Sequence, residues 1–104
     1  MTLRELLADE AMAMSGVMAT IGPDRSITWT RNDRPFAAAS ADGSTAEFAL
    51  EPAVAAAATR TPDVTPSSRG PGWVTFSPPE VDDHAADRAL AWLASAHRRL
   101  ELRN

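Results

Sequence analysis

Arg60-Thr-Pro-Asp-Val-Thr-Pro-Ser-Ser-Arg-Gly-Pro-Gly-Trp-Val-Thr-Phe76, followed by the helical period of Asp82 to Leu102, decides how the second half of the chain folds. Three prolines and two glycines between Thr61 and Gly72 disfavour regular structure, so that segment reads as a long loop. Trp73–Phe76 reads as a short strand, with Val74 and Phe76 on one face and Trp73 and Thr75 on the other. Ala86, Ala89, Leu90, Leu93, Ala96, His97 and Leu100 then recur at helical spacing, which predicts a terminal amphipathic helix capped by Asp82 or Asp83.

Upstream the hydrophobic period changes to two. Strands are predicted at Val17–Ile21, Ser26–Arg31, Pro35–Ser40 and Thr45–Leu50, separated by the turn-forming Gly22-Pro23-Asp24, Asn32-Asp33 and Asp42-Gly43. Asp42-Gly43 suits a two-residue hairpin, because both positions tolerate positive φ. Gaps this short require antiparallel neighbours, so the four strands form a meander. Alternation sends Ile27, Trp29, Phe36, Ala38, Ala46, Phe48 and Leu50 inward, and threonines such as Thr28, Thr30 and Thr45 outward. A first helix is expected over Leu3 to Met14, with Thr2 and Glu5 in capping-box spacing and Gly16 as its stop. Pro52 to Thr59 reads as an alanine-rich helix with proline in its first turn. The expectation is one α+β domain over residues 1–104: helix, four-stranded antiparallel meander, helix, fifth strand, helix. All helices should lie on one face, leaving the threonine-rich face open.

Composition narrows the function classes. The 104 residues are 44% hydrophobic and 23% charged, ordinary for a globular domain. Cysteine is absent, which excludes disulfides, thiolate metal sites and cysteine nucleophiles. Net charge is −4 and every cation other than the histidines is arginine, a pattern of GC-rich coding typical of bacteria. Acids interrupt the apolar run of Met1–Glu10, unlike a signal peptide, and no apolar stretch reaches the ~18–20 residues of a membrane span. The expected location is cytoplasmic.

Candidate chemistry is sparse. Asp82, Asp83, His84 and Asp87 cluster, but acids in a first helical turn are explained by the helix dipole, so no metal site and no cofactor are expected. His97 falls on an apolar stripe with no partner in sequence, and Gly70-Pro71-Gly72 lacks the free N–H groups of a phosphate loop. No catalytic residue is assigned. Arg25, Arg31, Arg34, Arg60 and Arg69 are balanced by nearby acids, which argues against a nucleic-acid stripe. Three residues near turns, Arg31, Arg34 and Arg69, together with Trp73 on the outward phase of its strand, are the candidate binding residues. A tryptophan there requires a cover: the adjacent loop, a ligand or a second copy of the chain.

Trp29-Thr-Arg-Asn-Asp-Arg-Pro-Phe-Ala37, Ala46-Glu-Phe-Ala-Leu50, Thr61-Pro-Asp-Val-Thr-Pro66, Gly72-Trp-Val-Thr-Phe76 and Ala96-His-Arg-Arg-Leu100 together resemble the small MmcQ/YjbR-like proteins, in the same order along nearly the whole chain. That resemblance implies the same helix–meander–helix–strand–helix fold. It also implies a link to DNA, since family members have been described as DNA-binding on fold grounds. The acidic balance and the absence of lysine depart from that expectation, as does Gly22-Pro-Asp-Arg-Ser26 where the family carries an aromatic-rich segment. The sequence therefore reads as a non-enzymatic binding protein with a protein or small-ligand partner, or a homodimer. A DNA-binding regulator is the alternative, and a small-molecule-binding or enzymatic domain is a weaker third.

Overall fold

A computed structural model describes residues 1–101; Leu102, the expected last residue of the terminal helix, lies outside the described residues. The elements are α1 (Leu3–Met12), β1 (Val17–Ile21), β2 (Ile27–Arg31), β3 (Arg34–Ala39), β4 (Ala46–Ala49), α2 (Pro52–Ala58), β5 (Val64–Pro66), β6 (Trp73–Phe76) and α3 (Asp83–Glu101). The sheet has six strands in the order β1-β2-β3-β4-β6-β5, and every neighbouring pair is antiparallel.

This is the expected α+β class with one strand more than the sequence pattern suggests. The extra strand, β5, lies inside the segment read as a loop. Val64 turns into the core beside Phe76, and Ser77 N–H and Ser67 N–H bond Asp63 O and Trp73 O at the two ends of the β5–β6 pair. Three residues, the last of them a proline, are too few to show a period, and Pro66 is tolerated because β5 is an edge.

Two further expectations are corrected. Asp42-Gly43 is not a two-residue hairpin but the middle of a longer loop between Ala39 and Ala46. The Asp42 carboxylate accepts from Ser40 Oγ, Ser44 N–H and Ser44 Oγ, and these local bonds stabilise a wider turn. Ala38 faces outward rather than inward. The register between β2 and β3 shifts at Trp29/Thr30, a bulge that leaves Phe36 as the extra residue and resets the alternation after it. Phe36 and Ala37 both become buried, and Ala38 pairs with Thr28 and Glu47 on the other face.

The core lies between the sheet and α3, with α1 beside it. Trp29, Ala37, Phe48 and Val74 form one inward row across four strands; Ile27, Ala39, Ala46, Phe76 and Val64 form the next. Trp92 of α3 meets both rows, edge-on to Phe76 at 5.1 Å between ring centroids and tilted to Phe48 at 6.1 Å. Leu93, Ala89 and Ala96 of α3 and Leu3 and Leu7 of α1 are buried in the same cluster. Asp82 caps α3 by accepting the Ala85 N–H at 2.8 Å, and Thr2 and Glu5 form the capping box of α1. None of the helices among the described residues is long and apolar enough to cross a membrane.

The α1 cap is pinned to the sheet by a close approach. Leu3 N–H bonds Gly43 O at 3.0 Å, and Gly43 sits at φ 77° where a Cβ would lie 2.5 Å from Thr2 Cβ. Gly43→Ala is therefore expected to lose about 1–3 kcal/mol in chemical denaturation, from backbone strain plus displacement of the cap. A loss below about 0.5 kcal/mol, within the range of a neutral surface change, would show that the loop and the cap separate freely.

Candidate functional site

The face of the sheet away from the helices carries hydroxyl groups and one carboxylate. Its central row, read across all six strands, is Thr20, Thr28, Ala38, Glu47, Thr75 and Thr65. Ala38 is 1% exposed and Ala49 is 3% exposed. Small side chains in the two middle strands thus form a buried floor.

Glu47 organises the rim. Its Oε1 accepts from Arg69 Nε at 2.8 Å, its Oε2 accepts from Ser67 Oγ, and Thr75 Oγ1 stands 3.5 Å from the same oxygen. Arg69 N–H bonds Ser67 Oγ at 3.1 Å, so the loop after β5 is tied to the strand by both side chain and backbone. The Arg69 guanidinium lies 5.3 Å from the centroid of the Trp73 ring, within cation–π range. Burial would raise the Glu47 carboxyl, but hydrogen bonds from Arg69 and Ser67, the Arg69 charge and Thr75 outweigh it and hold it below its ordinary value. In the turn between β1 and β2, Asp24 is lowered mainly by the Ser26 hydroxyl and N–H, and slightly further by the charge of Arg69.

Trp73 occupies the outward phase that alternation assigns it. It is half-buried, covered by the loop before it. That loop is forced close: Gly72 has φ 81° and a Cβ there would stand 2.6 Å from Leu50 O, while Gly72 O accepts the Leu50 N–H at 2.9 Å. Of the candidate binding residues, the structure brings Arg69 and Trp73 together. Arg31 and Arg34 instead face each other across the β2–β3 turn, on strands separated from β6 by β4, and the Arg31 side chain lies against Gly16. Glu47 and Ser67 were not singled out in the sequence. The available signal was an acid in the middle of a period-two strand on a face otherwise lined by hydroxyls.

A second groove, of about 350 Å³, runs between α3 and the start of the β5 segment and is lined by Thr61, Pro62, His84, Arg88, Ala91 and Trp92. Arg88 stacks on Phe76 and Trp92 at 4.8 and 5.0 Å and donates from Nη2 to Thr61 Oγ1 at 2.8 Å and Pro62 O at 2.7 Å. Those contacts anchor the β5 segment to α3. His97 is 9% exposed, its Nε2 is 3.0 Å from Ser15 O and its ring packs edge-on against Phe36, so it ties α3 to the α1–β1 turn. Among the described residues no group of three or more histidine, aspartate or glutamate side chains is arranged to hold a metal ion.

Compared with known proteins, the chain matches no family model and no curated protein.

The lowered Glu47 carboxyl sets a pH dependence. A carboxyl depressed in the folded state stabilises the fold above its unfolded value, and that contribution is lost as pH falls through the folded value. The stability gap between wild type and Glu47→Gln should therefore be widest above the ordinary value of 4.5 and shrink as pH falls below it. Denaturant titrations from neutral to strongly acidic pH check this; a gap independent of pH would show that the Glu47 charge has no part in holding the rim.

Proposed function

We propose that this is a non-enzymatic cytoplasmic binding protein, related to the MmcQ/YjbR-like proteins, whose open sheet face takes a small ligand or a segment of a protein partner. The observation that carries this reading is the Glu47–Arg69–Trp73 assembly. It is a prebuilt arrangement of a carboxylate, a guanidinium and an indole on a hydroxyl-lined floor, and the core packing on the other side of the sheet does not require it. Such a rim offers an aromatic surface together with fixed polar groups for orientation. The kinship with the MmcQ/YjbR-like proteins rests on the sequence motifs alone.

The face does not favour catalysis. Its carboxylate is held ionised and is already bonded to Arg69 and Ser67, which leaves a weak general acid. Nor does it favour DNA: Arg69 is neutralised by Glu47, and the chain carries a net charge of −4.

A thermal-shift screen of neutral and zwitterionic small molecules and short peptides tests the proposal. Ligands that stabilise the wild type should bind at least about tenfold more weakly to Trp73→Ala, a loss of about 1.4 kcal/mol, while the variant keeps its helical circular dichroism. Stabilisation unchanged in Trp73→Ala would contradict the assignment of the site. Duplex DNA should bind no tighter than about 10⁻⁴ M at physiological salt; sub-micromolar affinity in a polarisation titration would replace this reading with the DNA-binding one.

A further inference from the structure

Among the described residues, the free edge of β1 is unprotected. Native sheets blunt their edges with charge, proline, bulges or very short strands. The opposite edge follows that rule, since β5 has three residues and ends in Pro66. β1 does not: Val17-Met-Ala-Thr-Ile21 is five residues long, pairs in unbroken register with β2, and contains neither a charge nor a proline. Met12, Met18 and Ile21 beside it are 86%, 69% and 62% exposed. Between α1 and this strand runs an apolar groove of about 170 Å³, lined by Ala8, Met12, Val17, Ala19, Ile27 and Trp29 among others. The core is thus left open along one side, at the strand best able to accept another.

We propose that β1 is a homodimer interface, in which two copies of this chain pair their β1 strands antiparallel about a two-fold axis through Ala19. The strand is suited to pairing with itself. With Ala19 opposite its own copy, Val17 faces Ile21 of the partner and Met18 faces Thr20 of the partner. Val17, Ala19 and Ile21 are on the groove side of the strand, so the two grooves merge into one apolar layer. An isologous contact of this kind closes after two copies and leaves only the blunted β5 edges at the ends of a twelve-stranded sheet.

The uncharged strand fits a second copy, and its size sets the strength of the contact. Val17–Ile21 carries no charge, so pairing it with its own copy sets no like charges opposite each other; the acids on the helix beside the edge are Glu5, Asp9 and Glu10 of α1, next to Arg4. On α1, the stripe facing the edge is Arg4, Ala8 and Met12, and Arg4 donates to Arg25 O in the β1–β2 turn. The edge is about 17 Å long and one helix-on-sheet layer, about 15–20 Å, deep. Counted on both copies, a surface of that size comes to roughly 500–700 Å², below the ~1,000 Å² lower bound for a stable specific interface, so the dimer should be weak and exchange with monomer at high micromolar concentrations rather than be obligate.

Sedimentation velocity over a concentration series of the full chain tests the interface. The wild type should shift from monomer to dimer as concentration rises, and Met18→Lys/Ile21→Lys should stay monomeric with an unchanged circular dichroism spectrum, since both side chains already face solvent. Independently, Ala19→Cys introduces the sole cysteine of the chain at the two-fold axis, where facing Cα atoms stand about 4.5–5.5 Å apart, within disulfide range. It should form a covalent dimer under mild oxidation, whereas Thr65→Cys on β5 should not. A wild type that remains monomeric into the millimolar range, a dimer that persists in the double lysine variant, or cross-linking at residue 65 instead of 19 would each overturn the proposal.

Discussion

Phe48, Phe76 and Trp92 meet where α3 crosses the middle of the sheet, and the rest of the molecule is arranged around that contact. Two of the rings come from neighbouring strands β4 and β6, and the third from a helix that follows β6 after a short proline-containing connection. Three large apolar side chains exclude water from the centre of the interface, which fixes both the register of β4 on β6 and the rotation of α3. Arg88, one turn before Trp92, extends the stack outward and clamps the β5 segment in place. α1 closes the same side through Leu3 and Leu7, while its start is held by Gly43.

Packing on one side alone leaves the other face to satisfy itself. Threonine and serine hydroxyls do this without a covering layer, because they can bond each other or water. Thr45 and Ser77 pair in this way at 2.9 Å. Glu47 is the exception on that face, and its charge is kept by bringing Arg69 and Ser67 down onto it. The loop that supplies them also shelters Trp73. Fold and candidate site are therefore linked through one segment: β5 pairs with β6 on the sheet side, its end delivers Ser67 and Arg69, and its beginning is anchored to α3.

The class of fold was legible in the sequence because α1, β1–β4, β6 and α3 each carry a clear period and recognisable caps. What was hidden had specific physical causes. β5 is too short for alternation to register and ends in a proline. The β2–β3 bulge shifts the phase of β3 after Phe36, so Ala38 changes face, and a bulge leaves no mark in a run such as Phe36-Ala-Ala-Ala39. The loop around Asp42-Gly43 is set by side-chain bonds that compete with the tight hairpin suggested by its dipeptide. For the site, period two placed Trp73 correctly, and turn position suggested Arg69. It suggested Arg31 and Arg34 equally, because proximity to a turn does not reveal which turns share a face. That depends on strand order, and the β4–β6 pairing across α2 and β5 is a long-range choice.

The central proposal is that the hydroxyl-lined face, rather than the α3 groove, is where this protein binds its ligand or partner segment. Fragment screening by protein-detected nuclear magnetic resonance addresses it most directly, because every backbone amide reports and no ligand need be known beforehand. Shifts should concentrate on the amides of Thr28, Glu47, Arg69, Trp73 and Thr75, which ring one surface. Shifts clustered instead at His84, Arg88 and Trp92 would place binding in the α3 groove and contradict the account.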